Sequence, residues 1–310
     1  MTGSVEPLVS VIVPTRDRPE SLARCLESIL LGQPHRYEII VVDQSEAPGG
    51  AGALVEFGPV AKLVRWERPA LSGRSAAINY AVAIARAPLI ATVDDDTTVG
   101  GGWLERGVAA FGARPEAAAV LGPLLAGRRP EGDELLTTFR RTRPATWRGR
   151  LARGRLLGVG ANAWFRRETF ERVGPFDPFL GPGGRFAAAE DVDYVIRILR
   201  AGLTVAYDPE LVVRHWGFRS YGDPSGQRML QAYSRGLGAM LAKHLRQGDP
   251  WSLGLLARDI AWEGRAVVRA LDPRYRVPFV PRLPSLAAGF ARGLVQPLDR
   301  TSGVFVEGRD

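Results

Sequence analysis

Apolar positions along the chain recur with two periods, and the two alternate. Residues 9–13 form a short β-branched run ended by Pro14, which predicts a first strand. Leu22, Leu26, Ile29 and Leu30 then follow at helical spacing, so a helix is expected to begin near Pro19. Residues 38–42 read as a second strand closed by Asp43. A Gly-rich turn at 49–52 leads to a short helix, and residues 60–64 read as a third strand. Ser72 stands where it can cap a helix running to about Arg86. Residues 89–93 lie between Pro88 and polar residues and read as a buried fourth strand. Strands alternating with helices predict a parallel sheet of βαβ units.

The alternation continues with a helix near 103–111, a strand near 117–121 and a strand over 158–165. A turn at 174–177 and a Gly-rich loop at 181–184 precede Glu190. Val192, Val195, Ile196 and Leu199 make a helical apolar stripe there, with Gly202 where a C-terminal cap belongs. Residues 203–207 and 211–213 read as strands, with His215 at the end of the second. After Gly226 the strands stop. Leu230, Leu237, Leu241 and Leu245 share one helical face, and Leu253, Leu256, Ile260, Val267 and Leu271 share another. The expected organisation is an α/β domain over 1–225, its mostly parallel sheet flanked by helices, and a basic helical C-terminal extension over 226–310. The tail from Thr301 is expected to fray.

Composition adds limits. The 310 residues are 45% hydrophobic and 24% charged, an ordinary globular balance. Cys25 is the only cysteine, which excludes an internal disulfide, points to a reducing compartment and reads as packing. The N-terminus lacks a signal-peptide pattern, and no apolar run reaches the roughly 18 residues a membrane span needs. A cytoplasmic protein is expected, with the inner membrane face as a further setting. Net charge is +8, and with only Lys62 and Lys243 as lysines it is carried by Arg. Residues 135–164 contain no acid but hold Arg140, Arg141, Arg143, Arg148, Arg150, Arg153 and Arg155. Such a stretch is either a solvated loop or a site for an anionic partner. The C-terminal extension is also basic. Packing against the sheet domain is its default role, and peripheral membrane contact is the alternative.

Candidate chemistry gathers at two acidic clusters. Asp94, Asp95 and Asp96 follow the fourth strand, at the strand end where open α/β sheets bind ligands. They are either a solvated acidic turn or hard oxygen ligands suited to Mg²⁺ or Mn²⁺. Glu190, Asp191 and Asp193 occupy the first turn of a helix, where they either complement its dipole or remain accessible for chemistry. No GxGxxG follows the first strand, which disfavours a dinucleotide fold, and no GxxxxGK[ST] occurs.

Taken in order, these motifs resemble family 2 glycosyltransferases of the GT-A fold over about residues 8–220. Residues 11–18, with Pro14, Thr15 and Arg18, are similar to that family's first strand and nucleotide loop. Asp43 stands where an acidic residue reads the nucleobase. Gly73-Arg74 through Asn79 resembles the helix bordering the diphosphate. Asp94-Asp95-Asp96 is similar to the Asp-x-Asp motif, and Glu190-Asp191 to the acidic pair whose Asp is the catalytic base. His215 matches a late metal-ligand position.

The resemblance implies an inverting transfer of a sugar from a nucleoside-diphosphate donor to a hydroxyl of a sugar or lipid-linked acceptor. It assigns Mn²⁺ or Mg²⁺ to Asp96, Asp94 and His215, ribose contact to Asp94 or Asp95, and the base to Asp191. Glu190, Asp193 and Trp164 are expected on the acceptor side. Two departures matter: many relatives carry an acid where this chain has Gln44, and Arg where it has Ile78, one helical turn after Arg74. An alternative is a sugar-phosphate nucleotidyltransferase, but residues 14–18 lack the Gly a triphosphate loop needs. A non-catalytic scaffold or basic binding protein is the other. Nucleic acid is not an expected partner, because aromatics are sparse among the arginines.

Overall fold

The computed structural model describes residues 6–31, 36–46, 62–220, 223–271 and 282–308. The chain opens with β1 (Val9–Thr15), α1 (Pro19–Leu30), β2 (Tyr37–Asp43) and β3 (Val64–Glu67). It continues with α2 (Arg74–Ile84), β4 (Leu89–Val93), β5 (Thr97–Val99), α3 (Trp103–Ala113), β6 (Ala117–Leu121) and β7 (Leu124–Ala126). Two short strands, β8 (Glu134–Leu135) and β9 (Ala145–Trp147), precede β10 (Asn162–Arg166) and α4 (Arg167–Val173). Then come α5 (Glu190–Arg200), β11 (Thr204–Tyr207), β12 (Val213–His215) and β13 (Arg219–Ser220). The C-terminal part holds α6 (Pro224–Arg246), α7 (Gly254–Leu271), α8 (Leu283–Val295), β14 (Leu298–Asp299) and β15 (Val304–Phe305).

The main sheet has the order β3-β2-β1-β4-β10-β6-β11-β9. It is mostly parallel; β10 runs antiparallel to β4 and β6, and β9 antiparallel to β11. After β1 the chain winds outward through β2 and β3, then returns to place β4 on β1's other side. That reversal opens a crevice at the carboxyl ends of β1 and β4, the position where such sheets bind ligands. Strands β1, β2, β4 and β6 are buried along their whole length, so helices cover both faces. Leu22, Cys25, Leu26 and Ile29 of α1 pack on one face, as the periodicity predicts. Ala77, Ile78 and Ala81 of α2 pack on the other, which explains Ile78: an arginine there would be buried in the core.

Several expected elements shift. The third strand lies at Val64–Glu67 rather than 60–64. It is a half-buried edge, paired Ile39 to Val64 through Val42 to Glu67, so an apolar run was a poor guide to it. The turn at 49–52, its short helix and residues 60–61 lie outside the described residues. Helix α2 is capped by Gly73 at φ 99° rather than by Ser72, because the Arg74 N–H donates to the Pro182 carbonyl at 2.9 Å. The strand expected over 158–165 begins only at Asn162. The tail does not fray: β14 and β15 form a hairpin with Phe305 buried against Phe186.

The C-terminal helices dock through a buried charge cluster. Lys243 on α6 is fully buried and contacts Asp177 at 2.6 Å and Asp193 at 2.7 Å. The His244 Nε2 lies 2.9 Å from Asp193 Oδ1, and the Phe305 N–H donates to Asp177 Oδ2 at 2.9 Å. Removing one partner of such a buried set costs about 3–5 kcal/mol. Burial depresses the His244 pKa against the pull of Asp193. Burial opposes the Asp193 charge too, but Lys243, His244 and Arg197 hold that carboxyl well below its usual range. Both folded values lie below the unfolded ones, so both contributions to stability are present at high pH and lost as pH falls. The His244 loss begins near pH 6.5 and the Asp193 loss near pH 3.9. His244→Gln keeps a donor for Asp193 and removes the upper window. Its melting temperature is expected to vary less between pH 7 and 5 than that of the wild type; an equally steep slope would assign the loss to other groups.

Candidate active site

The crevice between β1 and β4 opens into one cleft of about 750 Å³. Pro14, Thr15 and Arg18 reach it from the end of β1, Gln44 from the end of β2, and Arg74 from the start of α2. Asp94, Asp95 and Asp96 reach it from the end of β4, Glu190 and Asp191 from the first turn of α5, and His215 from β12. Residues far apart in sequence meet here because parallel strands deliver all their carboxyl ends to one edge.

The acid triplet is held by arginines. Thr15 Oγ1 donates to Asp95 Oδ2 at 2.8 Å across the switch point. The Arg18 guanidinium stands between Asp95 Oδ1, at 3.1 Å, and Asp96 Oδ2, at 3.0 Å. Burial pushes the Asp95 carboxyl up to about 6, with Arg18 pulling the other way. Burial is the largest influence on the Asp96 carboxyl and works against its charge, but His215, Arg18 and Arg219 together outweigh it and hold that carboxyl low. His215 Nε2 lies 3.3 Å from Asp96 Oδ1. Its Nδ1 lies 3.0 Å from the Thr137 carbonyl, which accepts from an Nδ1–H and leaves Nε2 for the cleft. Asp94 turns away from this pair, toward Arg74.

Arg74 joins the two acidic clusters. Its Nε donates to Asp94 Oδ1 at 2.7 Å, and its terminal nitrogens donate to Glu190 Oε1 at 3.1 Å and the Gly160 carbonyl at 3.0 Å. Burial disfavours its charge, yet Asp94 and Glu190 raise its pKa further. Burial raises the Glu190 carboxyl, and the neighbouring Asp191 charge adds to it. Asp191 accepts from the Gly160 N–H at 2.7 Å and the Val192 N–H at 2.7 Å, which fixes its carboxylate at the mouth of the helix. Residues 158–161 are therefore a turn beneath the acidic helix rather than strand.

Four expected site residues are placed elsewhere. Trp164 is fully buried and packs on Trp103 with ring centroids 4.7 Å apart, so it lies in the core and not on an acceptor face. Asp193 is fully buried in the Lys243 cluster. Asn79 clamps the Phe176 backbone, donating at 2.9 Å and accepting at 2.8 Å. Asp43 is buried and accepts from the Ser45 N–H at 2.9 Å and Trp66 Nε1 at 3.3 Å. Gln44 accepts from the Gly73 N–H at 2.8 Å and donates to its carbonyl at 3.1 Å. A carboxylate there could accept but not donate, which accounts for the amide.

The Arg-rich stretch also divides. Arg141 lies over the Trp147 ring, Arg148 donates to the Gly202 carbonyl at 2.9 Å, and Arg153 pairs with Asp249 at 3.2 Å. None of Arg140 through Arg155 lines the cleft. The cleft is instead lined by Arg219, Arg228 and Arg258, which the sequence reading passed over. Arg219's place four residues after His215 was the available signal.

The mostly parallel sheet of this α/β protein gathers carboxylates and arginines over its strand ends, at the switch-point crevice where such sheets bind ligands. Residues 10–174 match the model of glycosyl transferase family 2. The chain belongs to glycosyl transferase family 2. It is 31% identical over 209 residues to succinoglycan biosynthesis protein ExoM of Rhizobium meliloti, covering 65% of this chain and 64% of that one. It is 24% identical over 222 residues to glycosyltransferase AglE of Haloferax volcanii, covering 69% and 68%. The chain thus spans about two thirds of these relatives. Among solved structures it resembles a mannosyltransferase from Pyrobaculum calidifontis in complex with GDP-Man and Mn²⁺. The TM-score is 0.61 at 20% identity, over 94% of this chain and 88% of that one. S. aureus TarS 1-349 in complex with UDP-GlcNAc gives 0.59 at 14% identity, over 92% and 81%. These likenesses carry the fold, which is GT-A as expected.

Proposed function

We propose that the protein is a divalent-cation-dependent, inverting glycosyltransferase that moves a sugar from a nucleoside-diphosphate donor to an acceptor hydroxyl in glycoconjugate synthesis. The observation that carries this is Arg74. One buried guanidinium holds Asp94 of the donor-side triplet and Glu190 of the acidic pair, so the Asp-x-Asp carboxylates and Asp191 stand around a single cleft. Family membership agrees with it, and the resembling structures hold GDP-Man or UDP-GlcNAc.

The metal fits the donors present. Among the described residues no three His, Cys, Asp or Glu side chains form a ready cage. Asp96 and His215 make a half-shell, and the Arg18 guanidinium already bridges Asp95 and Asp96 as a cation. Mg²⁺ and related hard ions are commonly held by one or two carboxylates, with phosphate oxygens completing the shell. When bound, the ion supplies Lewis-acid stabilisation of the leaving diphosphate. Asp94 is not needed as a ligand and remains as a ribose contact. Asp191 is placed to take the acceptor proton as general base. Its two backbone donors hold it in one orientation.

The setting proposed is cytoplasmic. Cys25 is buried and its thiol is pushed up by burial, so it is an inert packing group. No helix among the described residues is long and apolar enough to cross a membrane. The test is a thermal-shift panel of UDP-, GDP- and dTDP-sugars with Mn²⁺ or Mg²⁺. A donor present at about a hundred times its Kd stabilises the native state by about 2.7 kcal/mol. One nucleotide class is expected to raise the melting temperature only with metal. No shift with any of them would overturn the reading.

A further inference from the structure

We propose that the wall α6 turns to the cleft is an acceptor subsite for a phosphate-bearing amphiphile, with Arg228 and Arg258 as its anion-recognition groups. This rests on the transferase reading above and names the substrate class for it.

The wall stands beside the acidic pair. Gly236 of α6 packs so closely on the Ala188 backbone that a Cβ there would lie 2.5 Å from the Ala188 carbonyl oxygen. Ala188 is two residues before Glu190. The hydroxyls of Tyr233 and Thr137 lie 3.1 Å apart, which ties the same helix to the loop that orients His215. The wall therefore borders the acidic turn that carries Asp191, within the cleft that the donor-side carboxylates also line.

The wall has two kinds of surface. Arg228, Met229, Tyr233 and Leu237 recur at helical spacing and all line the cleft. Three of the four are an apolar or aromatic strip, and the fourth is a cation. Arg258 of α7 lines the cleft as well. Among the described residues neither Arg228 nor Arg258 makes a close ion pair; Asp223 and Asp259 act on them only from a distance. Asp259, the acid nearest Arg258 in sequence, is committed to Arg282 at 2.8 Å. Two guanidiniums without a close ion pair among the described residues, beside an apolar strip, match a phosphate joined to a hydrocarbon chain, since guanidinium binds phosphate through paired N–H donors. A neutral sugar would leave the cations unused, and a free anion would leave the strip unused. The sequence left Arg140–Arg155 as either a solvated loop or a site for an anionic partner; none of these arginines lines the cleft, whereas Arg228 and Arg258 do.

The experiment uses the full chain saturated with Mn²⁺ and the nucleoside diphosphate that the thermal-shift panel selects, so that the donor site is filled. Calorimetry then measures decyl phosphate below its micelle concentration, decyl glucoside and inorganic phosphate. Decyl phosphate is expected to bind at least about tenfold more tightly than either control. Arg228→Gln and Arg258→Gln are each expected to weaken it by about tenfold, as a lost charge-assisted bond does. Nucleotide affinity and melting temperature should stay at wild-type values, because both side chains are exposed. Equal binding of decyl phosphate and decyl glucoside would overturn the anion role. Equal binding of inorganic phosphate would overturn the amphiphile, and unchanged affinity in both variants would overturn the residues. A chain that binds nucleotide but ignores decyl phosphate fails this proposal alone. A chain that binds no nucleotide fails the transferase reading instead.

Discussion

Asp96→Ala is expected to abolish sugar transfer and Mn²⁺-dependent nucleotide binding together. Asp96 is the one member of the triplet that touches both His215 and Arg18. Its carboxyl is held low, so it is charged at any pH where the protein would work. In the proposed metal site, removing it would leave His215 as a lone ligand and Arg18 paired only to Asp95. Even outer partners of metal ligands change metal affinity about 10–100-fold, so losing a direct ligand should cost more than about 100-fold. The fold should persist, because Thr15 and Arg18 still hold Asp95 at the end of β4. Calorimetric titration of the nucleotide with and without Mn²⁺ reads the effect. A folded Asp96→Ala protein with unchanged Mn²⁺-dependent binding would remove Asp96 from the metal site.

Asp191→Asn is expected to separate chemistry from binding. The amide keeps the shape and one acceptor oxygen, so it retains one of the two bonds from the Gly160 and Val192 N–H groups, which go to different oxygens of Asp191, and it cannot accept the acceptor's proton. General-base contributions run about 10²–10⁴-fold, so turnover should fall by at least about 100-fold. Donor affinity should remain near wild type, since the donor-side contacts come from β1, β2 and β4. The neighbouring Glu190→Gln provides a contrast. Glu190 is paired to Arg74, so its loss should disturb Asp94 and weaken donor binding as well. Near-normal turnover in Asp191→Asn, measured at saturating donor, would sink the assignment.

Much of the frame was legible before the structure. Buried parallel strands such as Val9–Thr15 and Leu89–Val93 are continuous apolar runs, and their length and β-branching identify them. The acidic turn of α5 was equally clear, because its apolar stripe has a strict helical period. Edge and irregular segments were less so. Strand β3 is half-buried and carries Arg65 and Glu67, so its pattern is nearly polar. The hairpin of β14 and β15 is held by Phe305 reaching Asp177, a contact more than a hundred residues away in sequence.

The site divides along the same line. Clustered carboxylates with no cysteine beside them, at a strand end and at a helix start, follow from residue order alone. So do their reading as candidate hard-metal ligands and the resemblance to a family 2 transferase. Local order also places Thr15, Arg18, Gln44 and Arg74 at element ends, where side chains face a crevice. Residue order does not say which side of an element faces the cleft, nor which charge meets which. Asp191 and Asp193 are two positions apart, yet α5 turns the first to the cleft and the second into a sealed cluster with Lys243 and His244. Trp164 lies on the strand next to the acid triplet but points into the core against Trp103. Arg153 is drawn inward by Asp249, while Arg228 and Arg258 are left facing the cleft. The Asp193, Trp164 and Arg153 placements are each long-range contacts. Burying an unpartnered charge costs more than any local preference supplies, so partners brought together by the fold decide where each charge goes.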